Sequence, residues 1–252
     1  MVALLRIAIL ECDKPVDPIL QQRGTYGDIF EQLFDRTASG SIKANLPEWK
    51  FSKYDVVDRQ IYPSLDKIDG LLLTGSKHDS FADLPWISQL VDYVRAAFNA
   101  RKPIVGICFG HQILARAMGA EVGRDSSGWE VSVDKIHLTD TGISLFGKES
   151  LTMHQMHRDV VRTVPDGFQN LGISPCCEIQ GLFLPYRALS VQAHPEFDHF
   201  ITTAILQKRH ADGIFSDIMY EDGNTRAILK HDGAVVAKAI LQLFVDAQRA
   251  QE

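Results

Sequence analysis

The chain has 252 residues, 45% of them hydrophobic, enough apolar material for one sizeable core. Its formal net charge of −6, with no basic patch or arginine-rich arm, argues against nucleic acid as a partner. Four cysteines in a chain this long are not a disulfide framework; Cys12 invites no special reading, and the adjacent Cys176 and Cys177 read as packing residues.

The opening apolar run superficially resembles a signal peptide. Arg6 interrupts it, Glu11 and Asp13 follow at once, and it is too short to span a membrane. Residues 4–10 read better as the first strand of a buried sheet. Without a visible export signal, the cytoplasm is the default location. Residues 26–34 read as a helix after a turn at Gly24, 50–58 as a strand of loose alternation, and 70–74 as a buried strand running into a small-residue loop. Residues 86–100 read as an amphipathic helix, and Ile104–Ile107 as a short buried strand. Strand–helix alternation of this kind argues for an α/β fold with a mostly parallel, doubly wound sheet and flanking helices. Right-handed crossovers then bring the loops at the strands' C-terminal ends together, so that Gly75 and Cys108 can meet across one crevice.

The segment Gly106-Ile-Cys108-Phe-Gly110-His-Gln112 carries the most chemistry. A strand passes directly into a helix over 110–118, with one cysteine at the switch and a glycine two residues away on each side. This is nucleophile-elbow spacing with Cys in place of Ser. A sharp strand-to-helix turn strains its central residue and needs small neighbours. It also sets the side chain at a helix N-terminus, where the dipole and unpaired N–H groups favour a thiolate over a thiol. The competing reading is a buried structural cysteine.

Residues 121–189 change character and read as antiparallel strands and hairpins, with turns at 125–128, 141–142, 165–167 and Gly181. The last strand delivers His194-Pro195-Glu196. Residues i and i+2 of an extended segment share a side, and Pro195 biases His194 toward that conformation. A catalytic cysteine needs a base, and the base needs an acceptor to orient it, so Cys108, His194 and Glu196 suggest a triad. Taken alone, His-Pro-Glu reads better as a solvated strand end; it is the cysteine elbow that favours the triad. Residues 197–210 read as a helix, 212–232 as a loop or lid with a short helix, and 234–250 as an amphipathic helix. No internal repeat, low-complexity tract or linker is visible, so 1–252 reads as a single domain.

These two motifs, in this order and at this spacing, resemble the class I glutamine amidotransferases over roughly residues 4–205. The run Thr74-Gly-Ser-Lys-His-Asp-Ser80 resembles the standalone subgroup that includes γ-glutamyl peptidases and fungal amidotransferase-like proteins. The resemblance implies a flavodoxin-like core with an antiparallel β extension over about 4–205; the C-terminal loop and helix, about 211–250, lie beyond it. It implies an oxyanion hole from the backbone N–H of Phe109 and of Gly75 or Ser76. The choice is open because Gly75-Ser76-Lys77 stands where Gly-Gly-Pro is frequent in the family. It places Gln112 and the Gly128-Trp129-Glu130 loop at the α-amino acid end of a bound glutamyl group. From the residues alone, Gln112 reads as an exposed helix residue and Trp129 as a core or interface aromatic.

The implied reaction is cysteine-dependent hydrolysis of a γ-glutamyl amide or peptide bond, with a small-molecule γ-glutamyl substrate and no cofactor. The chain runs only to Glu252 after Glu196, too short for a synthase domain. As the glutaminase subunit of an amidotransferase, it would therefore pass ammonia to a separate synthase. A non-catalytic regulatory or binding module on the same fold is a further alternative. The related cysteine-elbow chaperones and deglycases usually have His where Phe109 stands, and leave His-Pro-Glu unexplained. His154-Gln-Met-His157 is the densest histidine pair, but no second ligand cluster accompanies it, so no metal site is expected. His157-Arg158-Asp159 is assigned no chemistry. It resembles the kinase catalytic-loop tripeptide, but the other kinase motifs are missing.

Overall fold

The computed structural model describes residues 4–38 and 47–250; the first three residues of the opening apolar run lie outside these. In chain order the first half contains β1 (Leu4–Glu11), α1 (Asp17–Arg23), α2 (Tyr26–Ala38), β2 (Glu48–Asp55), β3 (Gly70–Leu73), α3 (Pro85–Asn99), β4 (Ile104–Ile107) and α4 (Phe109–Ala117). The second half contains β5 (Val122–Arg124), β6 (Glu130–Leu138), α5 (Asp140–Phe146), β7 (Ser150–His157), β8 (Asp159–Val161), β9 (Gln169–Asn170), β10 (Gly172–Ile173), β11 (Gly181–Leu184), β12 (Ala188–Val191), α6 (His199–Ala211), α7 (Asp217–Ala227) and α8 (Gly233–Arg249).

The main sheet has the order β2-β1-β3-β4-β12-β11-β9. Its first five strands run parallel, and β11 and β9 extend it antiparallel. This is the doubly wound order with one reversal, between β1 and β3, where such sheets open a crevice at their carboxyl ends. Strands β3, β4 and β12 are buried along their whole length, which explains their apolar sequence, interrupted only by Ser190, whose hydroxyl is hydrogen-bonded to His111 Nδ1 at 2.8 Å. Period-2 alternation along β1 feeds both faces. Leu5, Ile7 and Ile9 pack with Phe30 and Phe34 of α2 and with Val236, Ile240 and Phe244 of α8. Ala8 and Leu10 pack with Ile87, Leu90 and Val94 of α3 and Ile113 and Leu114 of α4.

Outside the main sheet, β10, β6 and β7 form an antiparallel sheet, and β5 pairs with β8. A third apolar cluster joins Ile19, Ile29, Val131, Met156, Ile201, Ile205 and Phe215, and so ties α1, α2, the β6–β7 pair and α6 together. Among the described residues no helix is long and apolar enough to cross a membrane.

Three sequence expectations change. Residues 141–142 are not a turn but lie inside α5, because Thr139 caps the helix by accepting from the Gly142 N–H at 3.2 Å. Gly181 opens β11 rather than turning the chain; a Cβ there would lie 2.7 Å from the Ser190 carbonyl of the paired strand. The strand expected over 50–58 stops at Asp55, whose carboxylate accepts from the Val57 and Asp58 N–H groups and turns the backbone. The short helix expected within 212–232 is α7, which occupies 217–227 and is capped by Ser216, which accepts from the Met219 N–H. Helix α1, with Pro18 in its first turn, was not legible as a helix in so short a segment.

Candidate active site

Cys108 stands between β4 and α4 with φ 52° and ψ −102°, the positive-φ region that a residue with a Cβ seldom occupies. Holding it there costs about 1–3 kcal/mol, which the surrounding backbone must impose. Both elbow glycines are fixed by close approach. A Cβ on Gly106 would lie 2.5 Å from the Gly110 carbonyl oxygen, and a Cβ on Gly110 would lie 2.5 Å from that of Leu73. The Cys108 N–H donates to Val191 at 2.9 Å, pinning the elbow to the end of β12. Phe109, the first residue of α4, has an N–H with no carbonyl one turn back to receive it. Its ring is buried and stacks on Trp86.

The segment after β12 brings His194 and Glu196 to the same place. The His194 N–H donates to the His154 carbonyl at 2.9 Å, and His194 Nδ1 meets Glu196 Oε1 at 2.8 Å. The imidazole stacks on Phe197, with centroids 3.9 Å apart and planes 14° apart. Both side chains are buried, so they are not a solvated strand end. Burial alone disfavours an imidazolium. Charge attraction from Glu196 and Cys108, with hydrogen bonds to both, outweighs it and raises the His194 pKa to about 10. The second Glu196 oxygen, Oε2, is buried without a hydrogen-bond partner among the described residues.

The loop after β3 closes the third side. A Cβ on Gly75 would lie 2.8 Å from His194 Cε1 and 3.7 Å from Cys108 Cβ, so only a glycine lets this backbone approach both. Ser76, next along, accepts from the His78 N–H at 3.1 Å.

Gln112 is not exposed. It lies buried on α4, and its amide nitrogen donates to the Asp159 carbonyl at 2.9 Å and to Gln192 Oε1 at 3.0 Å. Gln192 in turn directs its amide nitrogen at Cys108 Sγ, 3.5 Å away. Gln192 was not singled out from sequence, although it precedes His194 by two and so shares its side of an extended segment. Trp129 is half-buried, with the guanidiniums of Arg158 and Arg209 over its ring and Phe215 edge-on against it.

Gly75, Ser76, Cys108, Phe109, Gln112, Trp129 and His194 line one cavity of about 870 Å³, which also takes in Asp13, Tyr26 and the N-terminal part of the segment after α6. Of the dense histidine pair, His154 is hydrogen-bonded to Thr202 at 2.8 Å, and burial with neighbouring histidine charge lowers its pKa to about 3. His157 faces Glu130 at 2.9 Å. Among the described residues no group of three or more His, Cys, Asp or Glu side chains is placed to hold a metal ion.

Residues 28–210 match the glutamine amidotransferase class-I family. A glutamine amidotransferase-like protein of Schizosaccharomyces pombe is 31% identical over 247 residues, covering 95% of this chain and 98% of that one. Gamma-glutamyl peptidase 4 of Arabidopsis thaliana is 31% identical over 173 residues, covering 65% of this chain and 68% of its own. In fold, a glutamine amidotransferase from Thermotoga maritima of known crystal structure superposes with a TM-score of 0.69 at 17% identity, over 95% of this chain and 98% of that one.

Proposed function

This chain belongs to the glutamine amidotransferase class-I family, and we propose that it hydrolyses γ-glutamyl amide or peptide bonds through a thioester on Cys108. The observation that carries the reading is the convergence of Cys108, a Glu196-bound His194 and the Gly75 backbone at the carboxyl ends of three neighbouring strands. Cys108 Sγ attacks the side-chain carbonyl carbon of the γ-glutamyl group. The oxygen takes up negative charge facing the N–H of Phe109 and an N–H of the Gly75-Ser76 loop. The tetrahedral species collapses as the imidazolium of His194 gives its proton to the departing amine. Neutral His194 then removes a proton from water as it attacks the thioester. Glutamate leaves, and the thiolate–imidazolium pair is restored. Glu196 holds the ring in the tautomer that presents Nε2 to the sulfur and balances its charge.

A cavity of about 870 Å³ has room for a leaving group larger than ammonia, which favours a γ-glutamyl peptide over glutamine alone. The test is leaving-group scope. The purified chain, with no other protein present, is expected to release glutamate from γ-glutamyl dipeptides. Turnover of glutamine only, and only after a second protein is added, would identify a glutaminase subunit instead.

A further inference from the structure

The cavity beside Cys108 carries positive charge that its own acids do not neutralise. Asp13 is paired with Lys77 at 2.8 Å, and Asp212 with Lys208 at 2.5 Å. Asp79 and Asp159 share Arg124, at 2.6 and 2.9 Å. Lys14 is paired with Asp58. The guanidiniums of Arg158 and Arg209 remain, both half-buried and, among the described residues, without a carboxylate within ion-pair distance. Their Cζ atoms stand 5.0 and 4.5 Å from the centroid of the Trp129 ring, and that of Arg209 stands 5.7 Å from the Phe215 ring. An aromatic face holds a guanidinium in place without using its N–H donors. Burial disfavours the Arg209 charge and Arg158 opposes it further, while Cys108, Tyr26 and Asp13 favour it. Two like charges held together in a chain of net charge −6, with their donor edges unspent, are arranged for an anion to fill.

The geometry points to a carboxylate subsite in which Arg158 and Arg209, held against Trp129, bind a carboxylate of the substrate. This rests on the γ-glutamyl reading of the site and goes beyond it by naming the residues that select the substrate's charged form. A γ-glutamyl dipeptide offers two such groups, the α-carboxylate of the glutamyl half and the terminal carboxylate of the leaving amino acid. Both present the same chemistry to the arginines.

The test is calorimetric titration of the Cys108→Ala protein, which needs no turnover. The ligands are γ-glutamylglycine, its α-carboxamide, its C-terminal amide and its double amide. The double amide is expected to bind about ten- to a hundredfold more weakly than the parent. The single amide that reproduces this loss identifies the carboxylate. In Arg209→Gln or Arg158→Gln proteins the parent is expected to weaken while the double amide does not, so that the difference between them shrinks. Arg209→Lys, which keeps the charge but not the fork, should recover part of the loss. Equal binding of parent and double amide would overturn the subsite, as would equal weakening of both ligands in the arginine variants, or no binding of any ligand. A native protein that fails to hydrolyse any γ-glutamyl substrate would overturn the proposed reaction and leave the titration result standing.

Discussion

At the residue scale the site depends on contacts that tolerate no added atom. A methyl on Gly75 would press on His194 Cε1 at 2.8 Å and face Cys108. Gly75→Ala is therefore expected to lower kcat on a γ-glutamyl dipeptide about a hundredfold, the size of effect that a misplacement near 1 Å produces. The thermal unfolding midpoint should move little, and an unchanged kcat would show that the loop does not set the imidazole. The protonated His194 is the acid that releases the amine. Its pKa is raised from 6.5 to about 10, so the competent form is present below that value and lost as pH rises through it. The pH–rate profile should stay high through neutral pH and fall on the alkaline side. Glu196→Gln removes the anion that raises the pKa and should shift that fall to lower pH. A profile unmoved by this substitution would contradict the account. Cys108, His194 and Glu196 were legible because elbow spacing and period-2 geometry are local rules. The Gln112–Gln192–Cys108 chain and the two arginines over Trp129 were not, because each joins residues from separate elements that only the fold brings together.

At the element scale the apolar periodicity located most of the first-half strands and helices, since each buries one stripe or one face against the sheet. It missed α5, which Thr139 caps, and gave the short helix within 212–232 no bounds. Ser216 caps that helix, α7, whose buried residues are the small Gly223 and Ala227, so its apolar pattern is weak. The C-terminal helix α8 lies outside both the segment of resemblance and the matched residues 28–210, yet it covers one face of the parallel sheet. Phe244 is 1% exposed, and its ring packs so closely on the backbone of β3 that a Cβ on Gly70 would lie 2.6 Å from it. Phe244→Ala is expected to cost about 3–5 kcal/mol in urea unfolding. A loss below about 1 kcal/mol would show that the helix is peripheral to the core.

At the scale of the whole molecule, one sheet order accounts for the position of the site. The order β2-β1-β3-β4-β12 reverses once, and the loops after β1, β3, β4 and β12 deliver Asp13, Gly75, Cys108 and His194 to the same carboxyl edge. The residue before β6, the β7–β8 connection and α6 add Trp129, Arg158 and Arg209 around it. The parallel half was legible because short apolar strands alternating with helices admit few topologies. The middle segment was legible as antiparallel strands and hairpins, but not its division into separate sheets, because strand pairing over long separations leaves no local signature. The central claim is that this edge turns over γ-glutamyl bonds through the sulfur of Cys108. Its most direct test is the rate of glutamate release from γ-glutamylglycine by the native protein and by Cys108→Ala. The native protein should turn over unaided and the variant should be slower on the order of 10⁴-fold or more; equal rates in the two would contradict the mechanism.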